Sequence, residues 1–138
     1  MKKIKTKIEK INGYELRIYE YPDDPAKKRI WFELLNEERR PIALAMGSTK
    51  GNSYCLADYR FTQPLPAITK ARITDNLFSR IEAFLRKKGI RAMHGNTNPK
   101  FANFMRRRGY AIVSEEAGFT KVSGQIPQRK PVRLKRKP

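Results

Sequence analysis

The chain has 138 residues, enough for one compact domain and too few for two. It carries 31 Lys and Arg against 13 Asp and Glu, a formal net charge of +18, which favours a polyanionic partner such as nucleic acid. A single cysteine and a single histidine exclude a disulfide framework and a His/Cys metal cage, so no metal is predicted. The sequence has neither a secretory signal nor an apolar run near the roughly 20 residues of a spanning helix. We therefore expect a cytoplasmic protein without a membrane partner.

The first half of the sequence predicts β-strands. Asn12-Gly13 favours a two-residue hairpin turn between strands at 3–11 and 14–21. The segment Pro22-Asp23-Asp24-Pro25 is expected to break the chain. Apolar runs then predict a second antiparallel pair at 29–36 and 41–47, a polar loop at 48–52 and a further strand at 53–61.

The second half adds two helices. From Thr74 onward the apolar residues fall on one helical face, and Lys87-Lys88-Gly89 predicts the end of that helix. A short strand at 90–94, a helix at 99–108 and a hairpin of 110–113 with 118–122 follow. The sequence thus predicts an α/β domain over 1–122 that folds without the basic, proline-containing tail at 123–138.

The order strand, long helix, strand, short helix and hairpin over 53–122 resembles the cofactor-binding half of the GNAT acetyltransferase superfamily. The resemblance implies a mixed, mostly antiparallel central sheet, and a glycine-rich loop that holds the acyl-CoA diphosphate at a helix N-terminus. Matching the family's long helix to 77–84 places Ala71-Arg72-Ile73-Thr74 over that loop, where no glycine stands. We therefore predict no cofactor, with acetyl-CoA as the alternative. The residues that the resemblance implies for that alternative are Lys70, Ala71, Arg72, Ile73, Thr74 and Asn98.

The second helix carries the rest of the resemblance. The family pattern N-x-x-A-x-x-[FL]-Y-x-x-x-G-F falls on Asn98, Phe101, Phe104, Met105, Gly109 and Tyr110. Met105 stands where the family commonly has a tyrosine that protonates the departing thiolate, and a thioether has no proton to give. The N-terminal half also lacks any sign of the two helices that usually line the acceptor groove. These departures predict a domain without catalytic residues. If the chain is an acetyltransferase, the resemblance implies His94 and Glu33 as bases.

Basic residues are concentrated in the second half, and 83–114 contains no acid. Two hypotheses from different classes follow: a non-enzymatic binding or assembly protein that contacts nucleic acid or another polyanion, and a divergent acyl-CoA-dependent N-acetyltransferase. The run Gly95-Asn96-Thr97 is similar to one in small GNAT-like phage morphogenesis proteins, which implies protein partners in a virion or ribonucleoprotein. A solvated charged surface remains the alternative to polyanion binding. The residues predicted to contact nucleic acid are Arg86, Lys87, Lys88, Arg106, Arg107, Arg108, Arg129, Lys130, Arg133, Lys135, Arg136 and Lys137.

Overall fold

A computed structural model of the chain describes residues 5–11, 13–24, 27–116 and 119–127. Within these residues, one mixed sheet has the strand order β1-β2-β3-β4-β5-β6-β8-β7, and only the β5–β6 pair is parallel. The predicted α/β class, with a mostly antiparallel sheet and two helices in the C-terminal half, is confirmed. The elements are β1 Lys5–Ile11, β2 Tyr14–Asp24, β3 Lys27–Leu35, β4 Pro41–Lys50, β5 Ser53–Phe61, α1 Ala67–Lys87, β6 Ala92–Thr97, α2 Pro99–Arg107, β7 Ala111–Glu116 and β8 Phe119–Gln125.

The N-terminal strands follow the predicted hairpins, but β2 and β4 extend beyond their predicted ends, and β4 reaches Lys50 inside the predicted loop at 48–52. Gly13 has φ +87°, the positive φ that the Asn-Gly turn requires, and Ile11 pairs with Tyr14 across it. The β2 strand continues through the predicted break to Asp24, where it pairs with Lys27. Because only two residues join β2 to β3, no helix lies between them. Within the described residues, every element that precedes α1 is a strand.

Helix α1 begins seven residues before the predicted start at Thr74. Pro66 occupies the N-cap position with φ −60° and ψ 149°, and no side chain caps the helix there. Proline presets an extended entry into a helix, so the chain turns helical directly after it. Thr74 is instead a buried residue of the third turn. The predicted end is confirmed, with Lys88 as C-cap and Gly89 at φ +83°.

The hydrophobic core lies between the sheet and both helices, which pack on the same face. Phe32 of β3 contacts Phe84 of α1 at 5.8 Å between ring centroids, and Phe78 of α1 contacts Phe104 of α2 at 5.7 Å. We call the opposite side of the sheet the open face, because no described helix packs on it. Along each strand, half-buried side chains that point to this face alternate with core residues that point to the helices. Its residues include Arg17, Tyr19, Tyr21, Trp31, Glu33, Met46, Cys55, Asp58 and His94.

The C-terminal strand β8 runs past the predicted domain boundary. Gly124 pairs with Met93 of β6, and Ile126 is 4% exposed while its amide donates to the Arg91 carbonyl at 2.8 Å. The boundary after Val122 therefore falls inside a strand, and the folded part extends at least to Pro127. In the described part of the chain, neither helix combines the length and apolar character that crossing a bilayer requires.

Candidate functional site

The parallel strands β5 and β6 separate partway along their length. Their pairing ends at Leu56 and Gly95, although β5 continues to Phe61 and β6 to Thr97. A bulge at Ala57 shifts the register of β5 against β4 at this point. The backbones are in close contact just before they separate, since a Cβ on Gly95 would lie 2.6 Å from the Leu56 carbonyl oxygen. The two strands are therefore unpaired beyond Leu56 and Gly95, and we call the gap between them the cleft.

The N-terminus of α1 lies at the same end of the sheet as this cleft. The first helical hydrogen bond runs from the Lys70 amide to the Pro66 carbonyl, so the amides of Ala67, Ile68 and Thr69 have no partner within the helix. No acidic side chain stands in the first turn, and Lys70 follows it with its ammonium 5.4 Å from the centre of the Phe61 ring. A helix N-terminus with free amides and an adjacent cation can accept an anion such as a diphosphate.

The predicted cofactor residues 71–74 do not form a loop. They lie within α1, where their amides are engaged in the helix, and Ile73 and Thr74 are 5% and 7% exposed. The placement of the diphosphate loop on these residues is wrong, because the helix starts earlier than the family pattern suggests. The loop that precedes α1 is 62–66, and it is held by Thr62 and Gln63, whose side chains both donate to the Pro41 carbonyl. The exposed Arg72 and the partly exposed Lys70 remain on the first two turns.

An aromatic cluster joins the separated part of β5 to both helices. Tyr59 of β5 contacts Phe101 of α2 at 5.3 Å and Phe78 of α1 at 5.1 Å between ring centroids. Its hydroxyl shares a 2.7 Å hydrogen bond with the Thr74 hydroxyl, and burial raises the pKa of Tyr59 to about 12. The phenol therefore stays protonated at neutral pH. Tyr59 therefore joins β5 to α1 and α2 by ring packing and one hydrogen bond.

The second helix presents the residues of the family pattern in structural roles. Met105 is fully buried in the core, which leaves no proton donor at that position. The Asn98 side chain caps α2 by accepting the Phe101 amide at 2.8 Å, and Pro99 stands at the first helical position. Phe101, in place of the family's small residue, belongs to the aromatic cluster.

The two predicted bases lie on the open face but far apart. His94 stands one residue before Gly95 on β6 and pairs in register with Cys55 of β5. Glu33 lies on β3, three strands away, or about 14 Å across the sheet at the usual strand spacing. It is also offset along the strand, because the row of residues that contains His94 meets β3 at Arg29. Its carboxylate accepts the Tyr19 hydroxyl at 2.9 Å. The pKa of Tyr19 is raised mainly by desolvation on burial, and further by this hydrogen bond to Glu33. Only His94 is adjacent to the cleft, so His94 and Glu33 cannot both accept a proton from the same substrate amine.

The predicted phosphate-binding cations have different environments. Lys87, Arg106 and Arg107 are exposed, Lys88 forms an ion pair with Glu20 at 3.1 Å, and Arg86 donates to the Pro127 carbonyl at 2.5 Å. Arg108 must be withdrawn from the candidate surface, because it is 4% exposed and binds Glu82 at 2.7 Å. The tail residues Arg129, Lys130, Arg133, Lys135, Arg136 and Lys137 lie outside the described residues.

Comparison with known proteins identifies the fold of the chain through solved structures. No family model and no curated protein sequence matches the chain. Among solved structures, PaiA N-acetyltransferase from Thermoplasma acidophilum, in complex with coenzyme A, is similar at TM-score 0.60 and 14% identity, over 70% of this chain and 60% of that one. The ribosomal-protein-S18-alanine N-acetyltransferase from Escherichia coli is similar at TM-score 0.59 and 12% identity, over 77% and 74% of the two chains. Spermidine N-acetyltransferase from Vibrio cholerae is similar at TM-score 0.56 and 14% identity, over 75% and 66%.

The chain therefore has the fold of the GNAT N-acetyltransferases, as the resemblance implied, and it spans about 60% of the length of PaiA. The expectation that no cofactor is involved is wrong, because a protein of this fold was solved in complex with coenzyme A. The similarity to phage morphogenesis proteins stays a prediction.

Proposed function

We propose that the chain is an acyl-CoA-dependent N-acyltransferase. The observation that carries the proposal is the combination, at one end of a GNAT fold, of an uncapped helix N-terminus and the cleft between β5 and β6. The amides of Ala67, Ile68 and Thr69 and the ammonium of Lys70 fit a diphosphate, since they offer donors and positive charge without a competing carboxylate. When bound, acyl-CoA supplies an activated carbonyl to which an amine adds.

The remaining chemistry is proton transfer, and the chain offers one base beside the cleft. The His94 imidazole lies on the open face one residue before the strands separate, where an amine approaching from that face would meet it. Met105 cannot donate a proton, so water is the proton donor. Two of the structural neighbours are named for their acceptors, S18 alanine and spermidine, and both suggest amine probes for this chain.

Replacing Ala67 with proline tests the diphosphate site. Proline is tolerated at the first helical position, so Ala67→Pro removes one amide donor while α1 stays intact. We expect the variant to melt near the parent chain and to bind acetyl-CoA about tenfold more weakly, as the loss of one charge-assisted hydrogen bond predicts. Isothermal titration measures the affinity. Ala67→Gly keeps the amide and is the matched control. Equal affinities for the two variants would place the diphosphate elsewhere.

Replacing His94 with glutamine tests the base. We expect His94→Gln to lower kcat by about two orders of magnitude, while acetyl-CoA still raises the melting midpoint as in the parent. Release of the CoA thiol in the presence of spermidine, or of a peptide with an N-terminal alanine, measures turnover. Glu33→Gln, three strands away, is expected to have little effect and is the control. Acetyl-CoA binding without thiol release for any amine would contradict the transferase proposal.

A further inference from the structure

One end of the molecule collects cations from segments that are distant in sequence. The Arg91 amide donates to the Asn52 carbonyl at 2.7 Å, which places the β4–β5 turn beside the start of β6. A Cβ on Gly109 would lie 3.5 Å from Pro127, which places the end of α2 beside the end of β8. We call this region the basic end. The exposed cations considered below are Arg29, Lys50, Lys87, Arg91, Arg106 and Arg107.

The usual preference of helices for basic residues in their last turn explains only half of this set. Lys87, Arg106 and Arg107 fit that explanation, since they stand in the last turns of α1 and α2. Arg29, Lys50 and Arg91 belong to strands and turns, and they gain nothing from a helix dipole. Arg91 also lines a groove of about 490 Å³ with Gln125, and Gly89 and Gly109 contribute no side chains to it. This volume is large enough for a phosphate group.

An aromatic platform on the open face lies next to the basic end. Tyr21 and Trp31 contact each other at 4.9 Å between ring centroids, and the guanidinium of Arg29 lies 4.7 Å from the centre of the Tyr21 ring. Tyr21 pairs with Arg29, which pairs with Ser48 two residues before Lys50. Planar rings beside cations are the arrangement on which unpaired bases stack.

We propose that the basic end and the Tyr21–Trp31 platform together bind single-stranded nucleic acid, with phosphates on the cations and bases on the rings. Charge complementarity alone also fits an acidic protein, but that partner has no use for a stacking platform next to the cations. The surface lies near the C-terminus of α1, about 30 Å along this 21-residue helix from the proposed diphosphate site. His94 is nearer, because it follows Arg91 by three residues on the same side of the sheet as Tyr21. The proposal does not rest on the transferase activity, because it uses none of the residues assigned to acyl-CoA or to the base.

Charge reversal at the basic end tests the phosphate contacts. The triple variant Lys50→Glu, Lys87→Glu and Arg91→Glu is compared with a control, Arg39→Glu, Arg40→Glu and Lys100→Glu, whose exposed residues lie at the opposite end. Both triples change the net charge equally. We expect the first to weaken binding of labelled dT20 and U20 at least tenfold, and to flatten the slope of log K against log salt by about 2, since each phosphate contact on a single strand contributes about 0.7. The control is expected to keep most of the affinity. Equal losses in both triples would overturn the proposal.

Stacking is tested by the fluorescence of Trp31, the only tryptophan in the sequence. We expect dT20 and U20 to quench its emission, whereas heparin, which has charge without bases, binds without quenching. Tyr21→Ala is expected to weaken binding of both oligonucleotides several-fold, with little change in the salt slope. Tighter binding of dT20 would identify the ligand as DNA, and tighter binding of U20 would identify it as RNA. Absence of quenching at saturating oligonucleotide would overturn the stacking, and with it single-stranded nucleic acid as the partner.

Discussion

Replacing Arg108 with methionine is expected to lower the free energy of unfolding by about 3 to 5 kcal/mol, because the substitution leaves a buried carboxylate without its cation. Arg108 and Glu82 are 4% and 1% exposed. The guanidinium donates to both oxygens of Glu82, at 2.7 and 3.3 Å, and also to Asp75 at 2.6 Å. The Tyr110 hydroxyl donates to the same Glu82 carboxylate at 2.9 Å. These bonds hold the end of α2 against the middle of α1.

Two further variants separate this effect from a loss of surface charge. Arg107→Met removes the exposed neighbour of Arg108 and is expected to change stability by less than about 0.5 kcal/mol. The triple variant Glu82→Leu, Arg108→Met and Tyr110→Phe removes the buried members of this polar group and leaves the exposed Asp75, so no buried charge is left unpaired. It is expected to recover most of the stability lost in Arg108→Met. Urea unfolding at pH 7 measures all three. A loss in Arg107→Met as large as that in Arg108→Met would show that charge, not burial, sets the effect.

The arginine triplet also shows where prediction from sequence stops. Residues 106–108 are adjacent arginines, so their charge alone predicts that all three contact a polyanion. Successive side chains on a helix point about 100° apart, which predicts that one of the three faces inward but does not say which. The answer depends on Glu82, 26 positions earlier, because an inward arginine needs a carboxylate in contact with it.

Local patterns predicted the hairpins and the helix ends, because glycines at turns and caps act on their immediate neighbours. Gly13 and Gly89 both take the positive φ that their positions require. The start of α1 could not be predicted in the same way. Its N-cap is Pro66, and the helical face is recognisable only from Thr74 onward, where apolar residues recur from Leu77. The exposed first turn, which forms the proposed diphosphate site, has no apolar periodicity to reveal it.

The extent of β8 was missed for a similar reason. The segment Ser123-Gly124-Gln125 is small and polar, so it lacks the alternation that indicates a strand. It forms a strand because all three residues pair with β6 and Ser123 also pairs with Ala111 of β7, and because Gly124 packs against Tyr110. A Cβ at that position would lie 3.4 Å from the Tyr110 ring. Such a contact between distant segments is absent from any local window of the sequence.

Cutting the chain after Val122 is therefore expected to abolish the cooperative thermal transition, whereas cutting after Pro127 is expected to preserve it. The shorter chain loses three of the six β6–β8 residue pairs, those made by Ser123, Gly124 and Gln125. It also loses Ile126, whose burial alone is worth about 2 to 5 kcal/mol by comparison with core truncations to alanine. A domain of this size has only about 5 to 15 kcal/mol of stability in total.

The chain that ends at Pro127 keeps every described contact of β8, including the Arg86 bond to the Pro127 carbonyl. It lacks 128–138, and with them six of the predicted phosphate-binding cations. We expect its melting midpoint to lie within a few degrees of the full chain, measured by circular dichroism at equal concentration and salt. The substitution Ile126→Ala in the full-length chain is expected to have an effect between those of the two truncations. It should lower the melting midpoint by about 10 °C or more. If the chain ending at Val122 melts cooperatively near the parent, the end of β8 contributes little to the core. If the chain ending at Pro127 fails to fold, the core includes part of 128–138.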